Sequence, residues 1–76
     1  MSYLGVDLHS NSFTVCYRSS RGKERIATFE IEKIGVFGKT LRKHDELAVE
    51  ATGNTAWFAE QISDRVSRVV VVDPHQ

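Results

Sequence analysis

Cysteine is almost missing from this chain. Cys16 stands alone, which excludes an internal disulfide framework and a cysteine-rich zinc site and fits a reducing compartment. Long apolar runs are missing too: the longest, residues 69–72, is far short of the roughly 20 residues that a bilayer-crossing helix needs. The amino terminus has neither the basic region nor the apolar stretch of a secretory signal, so a cytoplasmic protein without a membrane partner is expected. Charge of one sign is also absent. Ten Lys and Arg balance ten Asp and Glu, so composition offers no strongly basic face that would by itself predict tight binding to a phosphate backbone. No repeat, linker or low-complexity tract breaks the chain.

What is present suits a folding domain. A hydrophobic share of 41% with 26% charged residues is unlike the composition of disordered chains. With 76 residues the ceiling is one compact unit, and a chain this short buries only about 60% of its unfolded surface, so a marginal core is expected.

Periodicity then orders the elements. In residues 3–9, Leu4, Val6 and Leu8 fall on one face and Tyr3, Gly5, Asp7 and His9 on the other, as a strand requires. A polar turn at Ser10, Asn11 and Ser12 leads to a second alternating run, Phe13, Val15 and Tyr17 against Thr14, Cys16 and Arg18, which predicts a hairpin. A turn over residues 19–23, holding Gly22, opens a third strand at residues 25–31 through Ala27, Phe29 and Ile31. From Glu32 the period changes. Ile34, Phe37 and Leu41 mark a short helix, weakened by Gly35 and Gly38, ending in Arg42, Lys43 and His44, whose charge suits a helix carboxyl end. Residues 47–51 read as a fourth strand whose only charge is Glu50. Gly53 and Asn54 break it, and Asn54 or Thr55 caps a second helix that runs to about Ser67 on a Phe58, Ile62 and Val66 stripe. Trp57, in its first turn, is expected to cover the core. Four valines after Arg68 do not alternate, the pattern of a strand buried on both faces of a parallel sheet, and Asp73-Pro74 closes it. The order β-β-β-α-β-α-β predicts an α/β fold with a mixed five-stranded sheet, the first three strands antiparallel and the last two parallel.

Two carboxylates stand in unfavourable places. Asp7 shares a strand face with Gly5, and Glu50 lies among Leu47, Ala48, Val49 and Ala51. A buried, unpaired charge costs many kcal/mol, so each must be exposed at a sheet end, paired with a cation, or protonated. One reading makes them solvated strand-end residues or partners of Arg18 and Lys39. The other puts them on adjacent parallel strands at roughly 4.8 Å spacing, where both reach one metal. Hard divalent cations such as Mg²⁺ take carboxylate oxygens and keep water in the remaining positions. Two such ions can hold the attacking and leaving oxygens of a phosphoryl transfer.

Three stretches, YLGVDLH at residues 3–9, VEATGNT at 49–55 and VVVDPHQ at 70–76, resemble in wording, order and spacing the start of the DEDD transposases of bacterial insertion sequences, the "insertion sequence 110" family and its related site-specific DNA invertases. The resemblance spans the whole chain. It implies that residues 1–76 are the amino-terminal part of one RuvC-like, RNase H-like catalytic domain. It implies a DNA transposase or recombinase that uses Mg²⁺ or Mn²⁺ and, in some members, a guide RNA, although no residue here is assigned to RNA contact. The family's first acid falls on Asp7 and its second on Glu50. The other two belong to a K-T-D-x-x-D-A segment that follows the Pro-His-Gln stretch, so residues 1–76 alone are expected to be inactive and to bind the metal weakly. Asp73 is a tempting third ligand, but it falls where the family uses a small polar residue. The family's serine nucleophile lies in a separate domain, so no serine of this chain inherits that role.

Other residues carry two readings each. His9 shares Asp7's face and either is simply exposed or steers a phosphate or metal-bound water. Asn54 and Thr55 either cap their helix or present backbone N–H groups to a phosphate. Arg42, Lys43 and His44 either form a solvated face or touch phosphate. Two rival functions follow as well. Gly5-Val6-Asp7-Leu8 suits the opening of an actin-like or sugar-kinase-like ATPase, but His9-Ser10 stands where those proteins place small residues against phosphate. A non-catalytic interaction fragment is the third class. The valine strand would then be a sticky edge, giving a homo-oligomer through that edge or through the open sheet face.

Overall fold

A computed structural model describes residues 2–73, and in it the alternating runs become strands. β1 (Ser2–Leu8) buries Leu4, Val6 and Leu8 and exposes Tyr3, Gly5 and Asp7. β2 (Ser12–Ser19) returns antiparallel to it with Leu8 opposite Phe13 and Val6 opposite Val15. β3 (Glu24–Glu30) continues the meander with Phe29 opposite Phe13 and Ala27 opposite Val15. The turn between β2 and β3 needs its glycine: Gly22 has φ +86, a left-handed conformation that other residues adopt only with strain. β4 (Glu46–Glu50) pairs parallel with β1, and β5 (Arg68–Val72) pairs parallel with β4. The sheet order is β3-β2-β1-β4-β5.

Both helices lie on the face that carries Phe13. α1 (Ile34–Gly38), after a 3₁₀ turn at Ile31–Lys33, contributes Phe37, and α2 (Thr55–Ile62) contributes Phe58 and Ile62. The ring of Phe13 lies 5.3, 5.1 and 5.2 Å from those of Phe29, Phe37 and Phe58. Phe13, Phe37 and Phe58 are fully buried, and burying one such side chain contributes about 1.5–3 kcal/mol. The Phe58, Ile62 and Val66 stripe is buried throughout.

The helices are shorter than the sequence predicts. α1 stops at Gly38, where Thr40 Oγ1 donates to the Phe37 carbonyl at 2.7 Å and a side chain on Gly38 would press on Arg65. Arg42, Lys43 and His44 are therefore not at a helix end; they lie in the loop before β4. α2 stops at Ile62, and a 3₁₀ turn at Ser63–Arg65 gives way to extended backbone at Val66. Ser67 is outside the helix and donates to the Asp45 carbonyl through its N–H and its hydroxyl, each at 2.9 Å. Asn54 occupies the N-cap position without a side-chain capping bond, and Trp57 is 42% exposed. Double burial of the valine strand is not found either. β5 is an edge, with Val71 52% and Val72 43% exposed. Among the described residues no helix is long and apolar enough to cross a membrane.

Candidate active site

The parallel register of β1 and β4 brings the two carboxylates together. Gly5 pairs with Ala48 and Val6 with Val49, so the next step along both strands sets Asp7 beside Glu50. Val6 and Val49 are buried against the helices, and alternation turns Asp7 and Glu50 to the opposite, open face. Both side chains line a shallow concavity of ≈ 630 Å³ there, with Gly5, Thr14, Cys16 and Ala48 among its other walls. Gly5 lacks a side chain and Ala48 has only a methyl group, so the floor two residues back from the acids is low.

Each acid is placed by a local device. Asp7 is 67% exposed, and its Oδ2 lies 3.1 Å from His9 Nε2, just past the end of β1. His9 is thus exposed, as the simpler reading has it, yet it also holds one oxygen of the carboxylate. Glu50 is the last residue of β4, and the next turn is fastened beneath it. The buried Thr55 hydroxyl donates to the Glu50 carbonyl at 2.8 Å and accepts the Thr52 N–H at 2.6 Å. Ala51 N–H reaches the Val72 carbonyl at 2.7 Å, tying the same turn to β5. Thr55 acts here as a bracket between strand and helix, a role that neither of its two readings, helix cap or phosphate-facing N–H, included.

The alternative partners are not used. Arg18 Nε faces Glu24 at 3.9 Å, and among the described residues neither Asp7 nor Glu50 makes an ion pair with Lys or Arg. Exposure at the carboxyl end of the sheet is what keeps both carboxylates tolerable, and it is equally what a metal ligand needs. No three His, Cys, Asp or Glu side chains converge on one ion position among the described residues. Asp7 and Glu50 are therefore a two-carboxylate arrangement, which neither His9 nor Asp73 completes. His75 lies outside the described residues.

A third carboxylate escaped the sequence reading. Asp45 is 4% exposed, and its oxygens accept the N–H groups of Ser2 and Arg42, each at 2.9 Å. It fixes the start of β1 to the loop entering β4, far from the acidic pair. The local signal was only an aspartate after a basic run; Ser2 is 43 positions away. No protein-family model matches the chain, and no curated protein matches it.

Proposed function

We propose that this chain is the amino-terminal part of an RNase H-like catalytic domain of a DNA transposase or recombinase. In this reading it acts by metal-dependent phosphoryl transfer, with Asp7 and Glu50 as two ligands. The observation that carries it is the adjacency of Asp7 and Glu50 at the ends of two central parallel strands, on a face without a covering layer among the described residues. The motif wording around both acids, and the meander followed by two parallel strands, support the same reading.

The donor set fits a hard divalent cation. Both groups offer carboxylate oxygens, both are exposed, and neither is neutralised by Lys or Arg. Asp7 and Glu50 would hold Mg²⁺ or Mn²⁺, which supplies positive charge to a scissile phosphate and to the oxygen that attacks it. His9 orients Asp7 by holding Oδ2, and Thr55 orients Glu50 through its backbone. The bare floor at Gly5 leaves room for a DNA backbone beside the carboxylates.

Mn²⁺ titration of isotopically labelled protein tests the assignment. Paramagnetic broadening is expected first at Asp7, Leu8, Glu50 and Ala51, with weak affinity, and is expected to vanish in Asp7→Asn and Glu50→Gln. Broadening that ignores both substitutions, or none at all, overturns the metal site. Residues 1–76 by themselves are expected to leave branched DNA uncut in Mg²⁺. Cutting would show that two carboxylates suffice.

A further inference from the structure

The balanced charge of the chain conceals a segregation by position. β1, β3, β4 and β5 run one way and β2 the other, so the β2–β3 turn shares a sheet end with the starts of the remaining strands. That end carries Lys23, Arg25, Arg42 and Arg68 against Glu24, Asp45 and Glu46, whereas the opposite end carries Asp7, Glu30 and Glu50. Three of the cations, Lys23, Arg25 and Arg42, line a single concavity of ≈ 550 Å³ together with Ser2, Tyr17 and Thr40. It lies on the helix side of the sheet, since Tyr17 follows Phe13 and Val15 on that face and its ring stands 6.4 Å from Phe37.

The two acids that line this concavity are already engaged. Asp45 accepts two backbone N–H groups, and Glu24 faces Arg18. Among the described residues Lys23, Arg25 and Arg42 make no ion pair. Arg25 is moreover held in place. Its guanidinium sits 4.3 Å over the Tyr17 ring, Tyr17 Oη is bonded to Thr40 Oγ1 at 3.0 Å, and Thr40 Oγ1 donates to the Phe37 carbonyl. A guanidinium fork fixed by stacking loses little further freedom when it binds, and its donor geometry matches phosphate oxygens.

We propose that the concavity formed by Lys23, Arg25 and Arg42 is a phosphate-binding site, separate in face and in sheet end from the Asp7 and Glu50 pair. Three cations outnumber the two carboxylates that line the concavity, and both carboxylates are held by other partners; the excess of positive charge suits a phosphate group or a phosphodiester backbone, and Asp7 and Glu50 lie at the opposite end of the sheet.

The test is titration of labelled protein at low ionic strength with inorganic pyrophosphate and, separately, with a short single-stranded oligonucleotide. Resonance shifts are expected at Lys23, Arg25, Thr40 and Arg42, with Asp7 and Glu50 unmoved. The double variant Lys23→Gln, Arg42→Gln, which leaves Asp45's backbone contacts and the Arg25 stack in place, is expected to weaken binding about tenfold or more through two lost charge-assisted contacts. An unchanged melting temperature checks its fold. Equal affinity for both probes identifies a small phosphate compound as the ligand. Tighter oligonucleotide binding that falls steeply with salt identifies a nucleic-acid backbone. No shifts with either probe, shifts confined to the acidic pair, or a folded double variant that binds like the parent would overturn the site.

Discussion

Asp45 and the pair Asp7 and Glu50 show two ways a carboxylate is accommodated in one small sheet. Asp45 is buried and survives because two backbone N–H groups point at it. Hydrogen bonds to a charged group contribute about 1.5–3 kcal/mol each, so Asp45→Ala is expected to lose roughly 2–4 kcal/mol, allowing for partial replacement by water. Asp45→Asn keeps an acceptor for one of the two donors and is expected to lose less. Urea unfolding at constant m-value measures both. Asp7→Asn and Glu50→Gln, at exposed positions, are expected to stay within about 0.5 kcal/mol of the parent, which keeps the metal titration interpretable. Asp7 and Glu50 were legible in the sequence because a charge on a strand stands out against its apolar neighbours. Asp45 was not, because its burial depends on Ser2 and Ser67, 43 and 22 positions away.

The strands were legible because a period of two survives one-sided burial. Leu4, Val6 and Leu8 in β1 and Phe13 and Val15 in β2 are all buried as their alternation predicts. The ends of the helices were less legible. Ser67 is drawn to Asp45, 22 positions away, by a tertiary bond without a local signature, whereas Thr40 turns its hydroxyl back onto Phe37 three residues earlier, a local bond that Thr can also make inside a continuing helix. The junction from β4 to α2 has the same character and is open to test. Thr55→Val keeps the shape of the side chain but strips partners from the Glu50 carbonyl and the Thr52 N–H, which is expected to destabilise by about 1–3 kcal/mol. Thr55→Ser is expected to recover most of the loss. If the Thr55 bracket positions Glu50, the valine variant also weakens Mn²⁺ broadening at Glu50 more than at Asp7. Equal weakening at both would separate the bracket from the site.

At the scale of the whole molecule, the two edges of the sheet differ. β3 carries Glu24, Arg25 and Glu30, whereas β5 carries four valines between Arg68 and Asp73. An edge without charges in its interior is a template for another strand. Antiparallel pairing of β5 with a second β5 would lay each Arg68 near the Val72 and Asp73 end of the other. Concentration-dependent self-association is therefore expected, and Val71→Lys, an exposed edge position, is expected to return the protein to monomer. Sedimentation showing a monomeric parent at high concentration would remove this edge as an interface. The sequence made β5 a strand and made it parallel to β4. Its place at the margin was anticipated only by the interaction-fragment reading, which made the valine strand a sticky edge; the lack of alternation pointed instead to double burial, because lateral order depends on which strands the helices cross over.

Gly5 lies between these scales. It sits inside β1, opposite Cys16 on one side and Ala48 on the other; a Cβ there would meet nothing within 4 Å, and its φ is not positive. Neither the backbone nor the packing demands a glycine. An interior strand glycine costs roughly 0.5–1 kcal/mol of conformational entropy relative to alanine, and β-branched residues suit such a position better. Gly5→Val should therefore raise the melting temperature of the isolated chain while filling the hollow behind the acidic pair. A variant that is sturdier but has lost its hollow would mean that this strand gives up rigidity for access, and that screening for thermostability alone would select against whatever this face receives.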